Sequence, residues 1–230
     1  MDFQSLLDRT VRPFGLRVVR AENAEMVYMH QYAGGYEQYR DVQIRHNKRK
    51  LKSVWADENT LQTIASDLRA HDLGKTGICH GARNGFEVEW FRSHLDGEIL
   101  GTDISETATD FPNMVVWDFH EENPDWEGEF EFVYTNSLDQ AMDPGRALRS
   151  WAKQLTPDGR IYIEHTMAHS AMHASEMDPF GAHPIAMPYL FFTWGQGAFR
   201  LANIVTGKKN PTASGQVRDV WIFVLERDRG

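Results

Sequence analysis

Two hydrophobic rhythms divide this chain. Up to about residue 70 the apolar positions recur at helical spacing. Leu61, Ile64, Ala65 and Leu68 fall on one face of a helix over 61–71, and 36–55 carries a mixed helical period. Asp57 or Asn59 is suited to cap the later helix, because either side chain can accept a bond from a free N–H of its first turn. A short strand at 16–20, after Pro13 and Gly15, is also expected. From Gly77 onward short apolar runs alternate with amphipathic stretches. The runs predict strands at 77–80, 98–103, 114–117, 130–135 and 160–164; the stretches predict helices over 85–94 and 143–155. Pro157-Asp158-Gly159 turns the chain into the last of these strands. Strands separated by helices imply a mostly parallel sheet covered on both faces. The runs at 199–205 and 217–226 flank the polar segment GKKNPTASG instead, which predicts an antiparallel hairpin at one edge.

The densest signal is GICHGARNGFEVEWFRSHLDGEILGTDIS, from Gly77 to Ser105. Gly81 and Gly85 bracket a tight turn between strand and helix. Asp103 ends the next strand about 20 residues further on, the spacing at which a carboxylate in a βαβ unit reaches a nucleoside ribose. A carboxylate there accepts from both ribose hydroxyls, so it selects a nucleoside whose hydroxyls are free.

Charge narrows the partners. Lys plus Arg is 24, Asp plus Glu is 33 and the net charge is −9, a balance that argues against a general nucleic-acid binder. One cysteine, Cys79, rules out an intramolecular disulfide and fits a reducing compartment. No apolar run approaches the roughly 18 residues of a membrane span, and MDFQSLLDRTVRPF lacks a signal-peptide core. The expectation is a cytoplasmic protein acting on a small molecule, with an oligomer allowed.

The motifs, taken in order, resemble the class I S-adenosylmethionine-dependent methyltransferases over residues 75–230. GARNG (Gly81–Gly85) stands where the family has its glycine-rich first motif, and GTDIS (Gly101–Ser105) is similar to the second. VVWDFHE (Val115–Glu121), FEFVYTNSLDQAMDP (Phe130–Pro144) and LTPDGRIYIE (Leu155–Glu164) resemble those that follow. The resemblance implies an α/β, Rossmann-like, seven-stranded, mostly parallel sheet with an antiparallel C-terminal hairpin over residues 73–230, preceded by a mainly helical extension over 1–72. It implies S-adenosylmethionine as cofactor, held by His80, Gly81, Arg83, Gly85, Asp103, Ile104, Asp118, Phe119 and Asn136. Asp103 would grip the ribose, Asp118 would face the adenine amine and Phe119 its ring, and Asn136 would sit beside the transferable methyl. Two positions depart from the family: Cys79 replaces an acidic residue, and Arg83 replaces the middle glycine. Arg83 could bind the methionine carboxylate or block the pocket.

The expected chemistry is methyl transfer to a small polar acceptor, oxygen-directed, such as a carbohydrate. Asp139, His165 and His169 are the candidate catalytic residues, since a hydroxyl nucleophile must lose a proton and imidazole titrates near neutral pH. His165, His169 and His173 recur every four residues. On a helix they would share a face suited to a divalent metal, against the alternative of a solvated loop; no metal ligand is assigned. The aromatics Phe180, Tyr189, Phe191, Phe192 and Trp194 are candidates for an acceptor wall or for core, and the basic cluster from Arg45 to Lys52 for a solvated helix face or a positive rim. Two other readings stand beside this one. A non-catalytic binding subunit is motivated by Cys79 and Arg83, and a nicotinamide-dependent oxidoreductase is disfavoured by the spacing of GARNG.

Overall fold

The computed structural model describes residues 10–11, 26–211, 215 and 217–228. The strand expected at 16–20 lies outside the described residues. Short β-branched and aromatic runs bounded by turns become strands β2 (Thr76–His80), β3 (Glu98–Asp103), β4 (Met114–Val116) and β5 (Phe130–Thr135). They are joined on one side by β6 (Leu155–Thr166), β9 (Asp219–Arg227) and β8 (Phe199–Lys208) into a seven-stranded sheet of order β4-β3-β2-β5-β6-β9-β8. β2 to β6 run parallel, and β9 is antiparallel to both β6 and β8. The strand order reverses between β2 and β5, which opens a crevice at their carboxyl ends. The fifth parallel strand starts earlier than the apolar pattern indicates, because Leu155 pairs with Phe130 before the Pro157-Asp158-Gly159 turn.

Helices cover both faces. α2 (Glu58–Ala70) and α3 (Phe86–Leu95) bury Leu61, Ile64, Leu68, Val88 and Phe91 against Phe132, Tyr134 and Tyr162 of the sheet. Asp57 caps α2: its carboxylate accepts from Thr60 N at 3.4 Å and from Thr60 Oγ1 at 2.9 Å. On the other face α4 (Pro144–Gln154) and α5 (Met187–Gly195) pack Leu148, Trp151, Met187 and Phe191 onto Val133, Ile161 and Phe223. Phe180 and Phe191 belong to this core, Tyr189 and Phe192 are exposed, and Trp194 packs on Phe180 and lines a separate cavity of about 480 Å³ with Tyr36 and His120.

Two features bring the N-terminal part to the sheet's carboxyl edge. β1 (Val27–Met29) pairs antiparallel with β7 (Phe180–Ala182), a contact of three residues across about 150 positions that leaves no local trace in sequence. α1 (Gly35–Arg49) then lies over the crevice, its Tyr39, Val42, Gln43, His46 and Asn47 buried. Among the described residues no helix is long and apolar enough to cross a membrane.

Gly101 marks how tightly this region packs. A Cβ there would meet Met114 Sδ at 2.1 Å and Val88 Cγ2 at 2.6 Å. Gly101→Ala is therefore expected to cost about 1–3 kcal/mol through overpacking, read as a lowered urea midpoint at unchanged slope.

Candidate active site

The turn after β2 is built by backbone geometry that glycine permits. Gly81 adopts φ +71°, and a Cβ on it would come within 2.7 Å of Ser137 Cβ. Gly85 also sits at φ +71° and caps α3; it shapes the turn and does not line the groove. Between them Arg83 holds φ 46°, the left-handed conformation that glycine takes freely, so the turn survives the substitution. Its N–H donates to Asp103 Oδ2 at 3.1 Å, and Ser105 N donates to Asp103 Oδ1 at 2.9 Å. Burial raises the Asp103 pKa, and those two backbone donors oppose the rise. The Arg83 guanidinium donates to the Ser53 carbonyl at 3.3 Å.

Gly81, Arg83, Asp103, Ile104, Asp118 and Phe119 converge on one narrow groove, closed from above by Tyr39, Gln43, His46 and Asn47 of α1. Its free volume is about 20 Å³, too small for a nucleoside while α1 stays in place. Asp118 is already engaged: Tyr36 Oη donates to its Oδ2 at 2.7 Å, and His120 donates to its Oδ1 from N at 2.9 Å and Nδ1 at 2.7 Å. Oδ1 thus accepts two bonds already, and Oδ2 keeps a second lone pair for a ligand.

The groove shares Arg83 and Gln140 with a larger cavity of about 390 Å³. Asn136, Ser137 and Asp139 line it from the segment after β5, His169 and His173 from the segment after β6, and Lys50 and Trp55 from the α1–α2 linker. Asp139 is the most perturbed acid here: burial pushes its pKa up to about 7, against the pull of Lys50 and Arg83. Burial and the neighbouring Asp139 raise Asp178, on the same cavity, to about 6.

The histidines divide by their bonds. Thr166 N donates to His169 Nδ1 at 3.3 Å, which leaves the ring proton on Nε2, 3.9 Å from Asp139 Oδ2. Burial lowers its pKa to about 3, so His169 is a neutral donor facing Asp139 and is poorly placed as the base. His165 does not reach the cavity. Its Nε2 donates to the Ala182 carbonyl at 3.0 Å and ties β6 to β7, and burial also lowers it to about 3; the expected catalytic role is corrected to a structural one. His80 is corrected likewise. Its ring stacks on Trp151 at 4.9 Å, and its nitrogens bond Thr102 Oγ1 and Gln154 Oε1, both at 2.9 Å, so no atom is left for a ligand. The spacing of His165, His169 and His173 does not produce a shared face, since they fall on a strand, a 3₁₀ turn and the turn beyond it. Among the described residues no group of three or more His, Cys, Asp or Glu is placed to hold a metal ion.

Trp55 carries no motif, and sequence reasoning missed it. Its ring lies 5.2 Å from that of His169, with Lys209 Nζ 4.6 Å and Arg218 Cζ 5.0 Å from its centroid. Lys209 also donates to the Trp55 carbonyl at 2.7 Å and pairs with Asp57 at 3.6 Å. Its ammonium ends on Glu164, which also accepts from Tyr134 Oη at 2.8 Å. Thus Lys209 and Arg218, just after β8 and just before β9, strap the α1–α2 linker over the cavity. Trp117, by contrast, bonds Glu121 O at 3.1 Å and packs on Trp126, away from the groove.

No protein-family model matches the chain, and no curated protein matches it by sequence. Solved structures do. The 1,6-didemethyltoxoflavin-N1-methyltransferase of Burkholderia thailandensis, with 1,6-didemethyltoxoflavin and S-adenosylhomocysteine bound, superposes with TM-score 0.63 at 15% identity over 87% of this chain and 93% of that one. The geranyl diphosphate C-methyltransferase of Streptomyces coelicolor A3(2), in complex with Mg2+, geranyl diphosphate and S-adenosyl-L-homocysteine, gives TM-score 0.57 at 11% identity over 82% and 98%. The fold is that of the class I methyltransferases. The [4+2]-cyclase SpnF superposes as well, with TM-score 0.55 at 11% identity over 74% of this chain and 81% of that one. The methyltransferase fold therefore hosts more than one chemistry, and activity has to be argued from the site.

Proposed function

We propose that the chain is an S-adenosylmethionine-dependent methyltransferase acting on a small polar acceptor, with oxygen as the receiving atom. The observation that supports this reading is the adjacency of two spaces: a groove of nucleoside chemistry at Gly81, Asp103 and Phe119 shares Arg83 and Gln140 with a polar cavity holding a perturbed acid. The residues fit the cofactor. The turn at Gly81 has no room for a Cβ, Asp103 presents a buried carboxylate, and His46, Asn47 and Trp55 each keep a buried polar atom without a partner.

When bound, the cofactor supplies a methyl made electrophilic by its sulfonium. The chain's residues do the rest. Asp103 would accept from the ribose, Phe119 would hold the adenine, and Arg83 would be the cation for the methionine carboxylate. Asn136 and Ser137 line the acceptor cavity together with Arg83. There Asp139 takes the acceptor hydroxyl's proton, and the His169 Nε2–H orients it. Closure by the Trp55 strap keeps water from the reacting atoms. The oxygen preference is supported by a carboxyl tuned near neutrality and surrounded by hydrogen-bonding side chains; the charge of −9 supports a small acceptor over a nucleic acid.

Calorimetric titration with S-adenosylhomocysteine tests the proposal. Micromolar binding by the unaltered chain is expected, and Asp103→Ala should weaken it by about 1–3 kcal/mol, because ribose hydroxyls lose a charged acceptor. Silence at millimolar ligand would favour the non-catalytic binding subunit instead.

A further inference from the structure

Two side chains of α1 are buried over the groove with polar atoms that bond nothing. His46 is 3% exposed and both its ring nitrogens lack partners; Asn47 is 5% exposed and its Nδ2 lacks one, while its Oδ1 accepts from Thr107 Oγ1 at 2.9 Å. Native structures seldom leave such atoms unpaired without a use for them. Both residues share the groove with Asp103. Asn47 lies near enough to help hold the Asp103 pKa down, yet its amide falls short of a hydrogen bond.

We infer that His46 and Asn47 are the second half of the nucleoside site, donating to the ribose oxygens whose protons Asp103 accepts. This rests on the cofactor reading above and extends it to an element outside the glycine turn and the strand ends. Each ribose hydroxyl gives one hydrogen bond and can accept two. Asp103 has no proton to give and serves only the first need. The Asn47 amide supplies a donor for the second. His46 supplies another: burial, Lys50, Arg83 and Arg49 lower its pKa to about 4, so it is neutral at pH 7 and presents one N–H and one bare nitrogen. The groove is too narrow for a nucleoside as it stands. α1 therefore swings outward to admit the ligand and returns to cover it, and the two unpaired residues find their partners on its return.

The test is calorimetric binding of S-adenosylhomocysteine and of its 2′-deoxy and 3′-deoxy analogues to the unaltered full chain, Asp103→Ala, His46→Phe and Asn47→Leu. His46→Phe and Asn47→Leu are expected to lose about tenfold in affinity for the ribose ligand, and much less for the analogue that lacks the contacted hydroxyl. Without ligand the melting temperature of His46→Phe should hold or rise, because the replacement removes unpaired buried nitrogens, whereas Asn47→Leu also removes the acceptor of Thr107 Oγ1 and should lower it slightly. The inference is overturned if the unaltered chain binds and Asp103→Ala weakens binding while both α1 variants bind like the unaltered chain. Equal losses for ribose and deoxy ligands, or lowered unliganded melting in both α1 variants, would overturn it too by making the residues structural. Failure of the unaltered chain to bind at all would overturn the cofactor reading first, and this inference with it.

Discussion

Asp139→Asn is expected to cut turnover by about 10²–10⁴-fold, the usual worth of a positioned general base, with S-adenosylhomocysteine affinity nearly unchanged. The expectation follows from where Asp139 sits: on the acceptor cavity, beside a His169 that can donate but not accept at the facing atom. A base works only when deprotonated. With the Asp139 pKa at about 7, the rate of the unaltered enzyme should climb as pH rises and level off above that value, and the residual rate of the variant should be flat. Asp178 titrates nearby at about 6 and is coupled to Asp139, so the profile reports the pair. Stability runs the other way. The folded-state pKa of Asp139 lies above the roughly 3.9 of an unfolded chain, so the native form holds the proton more tightly. That contribution favours folding at low pH and fades as pH rises from about 4 to about 7. Melting temperature should accordingly fall less between pH 5 and pH 8 in Asp139→Asn than in the unaltered chain. Some decline remains in both, because buried Glu87 also titrates at about 7.

Glu164→Ala is expected to destabilise the fold by about 3–5 kcal/mol, the cost of removing one member of a buried ion pair. Glu164 is 1% exposed and Lys209 6%, so the ammonium would be left without its closest counter-charge and Tyr134 Oη without its acceptor. Desolvation pushes the Glu164 pKa up, and Lys209 pulls it back. Chemical denaturation measures the loss. The double variant Glu164→Leu with Lys209→Met should recover much of it, since replacing both charges by apolar groups is often neutral. Function separates the two effects. Lys209 also carries the Trp55 carbonyl and ring, so the double variant should fold yet bind acceptor more weakly, with a raised KM and little change in cofactor affinity.

Much of the fold was legible because its signals are local. Strands Glu98–Asp103 and Phe130–Thr135 fall where short apolar runs end in turn residues, and Asp143 caps α4 one residue before its Pro144 start. The glycine turn and Asp103 were legible for the same reason: a tight turn and a strand end leave composition behind. What failed was side-chain direction. His80 and His165 sit beside informative residues, yet strand alternation and packing send them to Trp151 and to the Ala182 carbonyl. What was missed came from long-range contact. Trp55 is held at the cavity by Lys209, more than 150 residues away, and His46 and Asn47 are buried inside a run that reads as RHNKRK. The charged residues of that run divide between surface pairs, such as Lys48 with Glu106, and the cavity wall, where Lys50 stands.

An adenosine ligand is expected to lodge over the turn from Gly81 to Gly85 with its ribose on Asp103. A crystal structure of the full chain grown with S-adenosylhomocysteine measures this directly. Electron density is expected for the ribose within hydrogen-bond distance of the Asp103 carboxylate, with the homocysteine chain running toward Asn136 and α1 drawn over the nucleoside. Crystals grown at saturating ligand that show the groove still closed on Asp103, with the Arg83 side chain or α1 occupying the ribose position, would contradict it.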